Sequence, residues 1–137
     1  MAGRVINIIP PRLFDFTNLA LNGETTIVLA KAIDVSQWPD ATLMVRINDT
    51  SLVGGELWIS TQYVSPTADD PGADFVVAAP DAFIYIEDGE GPTFTTVQLT
   101  PPLGSAIRVN LTAYRWSSDP MSVVFSIDMK VTNYFPS

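Results

Sequence analysis

The sequence predicts an all-β chain, an antiparallel two-sheet β-sandwich of about eight strands. Three observations carry that reading. Apolar and polar residues alternate in run after run, clusters of Gly, Pro, Asn and Asp punctuate the runs, and no run shows helical spacing. Among sandwich connectivities the jelly roll is preferred. At 137 residues the chain is the size of one ordinary domain. Residues 1–17 are read as an N-terminal arm or first strand, and 18–137 as a single β-sandwich domain.

Arg4 to Ile9 is a short β-prone run, and Pro10-Pro11 is expected to terminate it, because proline lacks the amide hydrogen that a sheet ladder uses. Leu13, Phe14 and Phe16 follow in a segment tied down by apolar contacts. Asn22-Gly23 is a turn signal, since both residues tolerate positive φ. It introduces Thr25 to Ile33, where the consecutive Ile27, Val28, Leu29 and Ala30 predict a strand buried on both faces. After a polar connection holding Trp38-Pro39, residues 41–48 set Leu43, Val45 and Ile47 against Thr42, Met44, Arg46 and Asn48, a clean half-buried strand. Gly54-Gly55 closes the next turn. Leu57, Ile59 and Thr61 then share one face of a strand, with Trp58, Ser60 and Gln62 on the other.

Residues 65–74 form a loop by composition, followed by short apolar runs at Phe75 to Ala79 and Phe83 to Ile86. An acidic Gly/Pro loop, 87–92, precedes the β-prone run Thr93 to Leu99. The longest patterned stretch is Ser105 to Tyr134. Ile107, Val109, Leu111 and Ala113 alternate with Arg108, Asn110, Thr112 and Tyr114. After Ser117-Ser118-Asp119-Pro120, the apolar set Val123, Phe125, Ile127, Met129 and Val131 alternates with Ser126, Asp128, Lys130 and Thr132. The stretch reads as a β-hairpin whose apolar face requires a second layer.

Hydrophobic residues make up 47% of the chain and charged residues 16%, so the surface is dressed in Thr, Ser and Asn more than in ion pairs. With no cysteine, disulfides and thiolate metal sites are excluded. With no histidine, Ser-His and Cys-His nucleophile systems are excluded as well. The net charge is −8, and no basic residue lies between Arg46 and Arg108 while nine acidic ones do. A polyanion is repelled by such a middle, which argues against direct nucleic-acid binding. No basic n-region with an apolar run and no long apolar stretch is seen, so the expectation is a product made in the cytoplasm without a signal peptide or membrane span.

Four features offer candidate sites. Asp69, Asp70 and Asp74, with Asp88 or Glu90, offer hard oxygen ligands for Ca²⁺, but their spacing matches no EF-hand loop and a solvated acidic loop is preferred. A carboxylate pair for glycoside hydrolysis is available by number alone, which is no constellation. Trp38, Trp58 and Trp116 can stack on sugar rings or fill the sandwich, and Trp58 falls on an otherwise polar face. The triplets Asn48-Asp49-Thr50 and Asn110-Leu111-Thr112 are chance glycosylation matches on this reading. No cofactor, metal or catalytic residue is assigned.

The phrase Asp34 to Ile47, with a Trp-bearing polar loop before Leu43-Met44-Val45-Arg46, resembles the strand entry of galactose-binding-like jelly rolls. In size, acidity, lack of cysteine and apolar terminal arm, the whole chain resembles the small all-β decoration or accessory proteins of tailed-phage particles. That resemblance implies a jelly-roll or sandwich domain, often trimeric, that adds contacts between capsid subunits. The expectation is therefore a non-enzymatic structural protein on a virion surface, a homo-oligomer attached to a larger assembly such as a capsid. The alternative is a carbohydrate-binding module using Trp38 or Trp58. The arm holds Val5, Ile6, Ile8, Ile9, Leu13, Phe14 and Phe16, apolar surface that must be buried against its own sandwich or a neighbouring subunit.

Overall fold

The computed structural model describes residues 2–35, 38, 40–64, 75–78, 84–89, 92–99 and 106–133. Among the described residues nine strands are formed, all paired antiparallel: β1 (Ala2–Asp15), β2 (Glu24–Asp34), β3 (Asp40–Ser51), β4 (Gly55–Val64), β5 (Phe75–Ala78), β6 (Ile84–Ile86), β7 (Thr93–Leu99), β8 (Ala106–Arg115) and β9 (Ser122–Asn133). Sheet A has the order β1-β9-β3-β7. Sheet B has the order β2-β8-β4-β5, with β6 also on β4. β5 pairs with Gln62–Val64 and β6 with Leu57–Ile59, so the two occupy successive lengths of one edge of β4. Counted as one broken strand, they leave eight strand positions, and the two sheet orders are those of a jelly roll.

The core lies between the inward faces. From sheet A come Leu43, Val45 and Ile47 of β3 and Val123, Phe125, Ile127, Met129 and Val131 of β9. From sheet B come Leu57 and Ile59 of β4 and Ile107, Val109, Leu111 and Ala113 of β8, all fully or almost fully buried. Period-two patterning produced these assignments, because in a sandwich each central strand turns one side chain in two toward the other sheet. Phe14 of β1 stacks on Phe125, with ring centroids 4.7 Å apart and planes 18° from parallel.

Three sequence expectations are corrected. Residues 105–134 are not a hairpin: β8 pairs with β2 and β4 in sheet B, while β9 pairs with β1 and β3 in sheet A. The turn between them carries the chain across the core, so their two apolar faces meet each other instead of sharing a sheet. Pro10-Pro11 does not keep the arm out of the sheets. β1 runs through both prolines, paired with β9 of its own chain, with register shifts between Asn7 and Ile9 and between Ile9 and Arg12. An edge strand needs partners on one side only, which is why it accommodates residues without an amide hydrogen. β2 is not buried on both faces either. It is the edge of sheet B, Ile27 is 37% exposed, and its register with β8 shifts at Val28/Ala30 and Ala30/Ile33.

Candidate functional site

Four connections converge at one end of the sandwich: those after β1, β3, β6 and β8. Backbone hydrogen bonds stitch three of them together. Phe16 N donates to Met121 O at 2.8 Å, Asn22 N to Arg115 O at 2.7 Å, Gly54 N to Pro120 O at 3.0 Å and Trp116 N to Gly54 O at 2.9 Å. Asn22 holds φ 58°, the positive value the Asn-Gly turn was expected to need. The fourth connection is tied in by Asp88, whose Oδ1 accepts the Leu52 amide at 2.7 Å. Arg115 is buried here, its Nε donating to Ser117 O at 2.8 Å and its Nη1 to Leu19 O at 3.0 Å. Gly54 lies so close to the β8–β9 turn that a Cβ would stand 2.2 Å from Asp119 O.

Asp15 closes β1 by accepting hydrogen bonds from the Thr17 hydroxyl and from the Thr17 amide, the latter at 2.9 Å. These bonds, side chain first, with help from the Arg115 charge, hold its carboxyl below the ordinary carboxylate range. A depressed carboxylate stabilises the fold at pH above its unfolded value and loses that contribution as pH falls through the lower folded value. Asp15→Asn is therefore expected to lower stability in the neutral region, where the carboxylate makes its contribution, and to converge with the unsubstituted protein as pH falls through the depressed value, which flattens the acid limb of the stability curve. Chemical denaturation across that pH range reads the difference, and an unchanged acid limb would contradict it.

The tryptophans are dispersed. Trp38 is half-buried against the core at the opposite end, where it lines a groove of about 360 Å³ with Arg4, Ile6, Ile33 and Asp34. Trp58 stands on the outer face of sheet B beside Tyr85 of β6, ring centroids 6.1 Å apart. Trp116 is 50% exposed at the stitched end, its indole N–H donating to Val53 O at 3.2 Å. It faces Tyr85 across a groove of about 240 Å³ that also includes Glu56, Glu87 and Asp88. Trp58 and Trp38 are thus not brought together, and Tyr85, which the sequence reading did not single out, is the residue that links Trp58 to Trp116. Its signal was weak: one Tyr in a three-residue strand.

Of the arm residues, Ile9, Phe14 and Phe16 are buried in their own core, and Ile6 and Ile8 are partly buried against it. Val5 and Leu13 point outward, 60% and 58% exposed. The outward residues of β8 behave differently from the pattern expected of a solvated face: Arg108, Asn110 and Thr112 are buried. Arg108 Nε donates to Lys31 O at 3.2 Å, Asn110 Nδ2 to Gln62 Oε1 at 3.0 Å, and the Thr112 and Thr26 hydroxyls lie 3.1 Å apart. Asp69, Asp70, Asp74 and Glu90 lie outside the described residues. Among the described residues, no three acidic side chains converge as a metal site would require.

No family model and no curated protein matches the chain. Solved structures do match in fold. A chain of infectious bursal disease virus, Gx strain, aligns over 97% of this chain and 33% of its own length at 16% identity, with a TM-score of 0.63. The VP2 subviral particle of the same virus aligns over 95% of this chain and 32% of its own length, at 14% identity and a TM-score of 0.63. Infectious bursal virus derived T=1 particles align over 95% and 31%, at 16% identity and a TM-score of 0.65. This chain therefore spans about a third of the length of the viral chains it resembles, and what it shares with them is the β-sandwich fold.

Proposed function

We propose that the chain is a non-enzymatic structural protein, one jelly-roll unit of a larger protein assembly, and most specifically a capsid decoration or accessory protein at a virion surface. The observation that supports this best is the pair of sheet orders, which make a jelly roll, together with the likeness of that fold to chains from virus particles. The surface agrees with it. Thr42, Asn48, Thr96, Gln98, Ser126 and Thr132 stand among the outward positions of β3, β7 and β9, and such residues enter interfaces at little desolvation cost. Val5 and Leu13 are the arm side chains offered to a neighbour. The phage-particle proteins that the chain resembles are often trimeric, which favours a trimer among the possible multiples.

A second reading, a carbohydrate-binding module, is favoured by one feature, the aromatic series Trp58, Tyr85 and Trp116 with Glu56 and Glu87 beside it. Aromatic faces stack on sugar rings, and carboxylates accept hydrogen bonds from hydroxyls. Light scattering across a concentration series, alongside a glycan array, separates the two. A stable multiple of the chain mass with no glycan binding is the expected result. A monomer at every concentration that binds a glycan and loses it on Trp58→Ala would replace the structural reading with the second one.

A further inference from the structure

Every open sheet has two edges, each a row of backbone N–H and C=O groups that another strand can take up. Sheet A ends in β1 and β7, and sheet B in β2 and in β5 with β6. Three of these edges are closed by their own sequence. β1 carries Pro10 and Pro11 and two register shifts. β2 carries Glu24, Lys31 and Asp34 and two more shifts. The β5/β6 edge consists, among the described residues, of two short strands of four and three residues. Among the described residues, β7 has none of these devices. Thr93–Leu99 reads Thr-Phe-Thr-Thr-Val-Gln-Leu, without charge, proline or glycine, and its register with β3 runs unbroken from Ala41↔Leu99 to Ile47↔Thr93.

We propose that β7 is the strand through which one copy of this chain pairs with a second, antiparallel β7 against β7 across a two-fold axis, joining two four-stranded sheets into one of eight. This rests on the structural reading above and names the surface it uses. Two observations select a second copy as the occupant. The chain carries a net charge of −8, so two copies repel over most of their surface, and β7 supplies an edge strip of seven uncharged residues on which they can meet. Because the other edges are blocked, β7 of one copy meets only β7 of another. The contact is therefore isologous and closes on itself, instead of running on as a fibre.

Register follows from the centre of the strand. Thr96 is the middle residue of Thr93–Leu99, so a two-fold there sets Thr96 against Thr96 and Phe94 against Gln98. Directly opposed Cβ atoms in such a pair lie about 4.5–5.5 Å apart, close enough for like charges to disrupt it. Phe94 is 57% exposed, with the Arg46 guanidinium 5.7 Å from its ring centroid, and burial across the new pair covers that aromatic surface. A two-fold contact of this kind doubles whatever unit the other surfaces build, so the native mass is an even multiple of the chain mass.

Thr96 is exposed on the outer face, so a charge placed there spares the fold of its own subunit. Circular dichroism and melting curves verify that. The full-length protein, Thr96→Lys and Thr96→Glu are compared by sedimentation velocity, singly and as an equimolar mixture of the two variants. Each variant alone is expected at half the native mass, and the mixture is expected to return to the native mass, because Lys then faces Glu. Variants that keep the native mass overturn the β7 contact and leave self-association standing. A mixture that stays dissociated shows that the partner of β7 is not β7 and overturns the proposal too. A native protein monomeric at all concentrations removes both this contact and self-association.

Discussion

Replacing Phe125 with alanine is expected to cost about 3–5 kcal/mol of unfolding free energy, the range for truncating a large aromatic side chain in a packed core. Phe125 is fully buried on β9, with Ile47 opposite it on β3, and its ring stacks on Phe14 from β1. The void has little chance to collapse, because β9 is held by a strand on each side. Phe14→Ala removes the same stack from an edge strand, whose backbone is free to settle inward, so it should cost less. Urea denaturation of the two single variants and the double variant isolates the pair. A stacked aromatic pair contributes about 0.5–1.5 kcal/mol beyond burial, so the double variant should fall short of additivity by that order. A loss under about 1 kcal/mol for Phe125→Ala would place the residue outside the core.

How much of this was legible in the sequence differs strand by strand, and for physical reasons. β3, β4 and β9 could be read with their faces correctly assigned, because each is a central strand with one face on the core and alternation records that directly. β8 could be read on its inward face only. Its outward Arg108, Asn110 and Thr112 are buried through hydrogen bonds to Lys31, Gln62 and Thr26, residues distant in the chain, and no local pattern announces such partners. The supposed hairpin failed for a related reason. Alternation fixes which side chains share a face but carries no information about which strand lies alongside, and a short polar turn serves equally well to return within a sheet or to cross to the facing one.

The edges misled in opposite directions. In β1 the two prolines argued against a strand, whereas on an edge they disturb pairing on one side at most. In β2 four consecutive apolar residues argued for a central strand, whereas Ile27 stays partly exposed at the rim. Thr93 to Leu99 was legible as a strand by its β-prone composition, but its significance as the unblocked edge depends on the sheet order. The aromatic series is similar: Trp58 was visible on a polar face, and only the pairing of β6 with β4 brings Tyr85 beside it.

Deleting residues 1–11 is expected to leave a chain that does not fold cooperatively. β1 is paired to β9 along its whole length, and β9 contributes five buried side chains to the core, Val123 to Val131. The deletion leaves only Arg12–Asp15 of β1 on β9, so from Ile127 onward sheet A is reduced to β9-β3-β7 and the backbone of β9 becomes an open edge. The deletion also removes Ile9, whose burial alone represents about 1.5–3 kcal/mol, and the partial cover given by Ile6 and Ile8. Native domains are held by about 5–15 kcal/mol in total, so the combined loss of burial and of most of a strand ladder is enough to unfold one. The truncated protein should lack a sharp melting transition, and a synthetic peptide of residues 1–15 added in trans should restore it by refilling the vacant edge of β9. Restoration by the peptide separates a missing strand from general aggregation. A truncated chain that melts sharply near the full-length temperature, with or without the peptide, would mean that β1 is dispensable to its own sandwich and free to serve a neighbour instead.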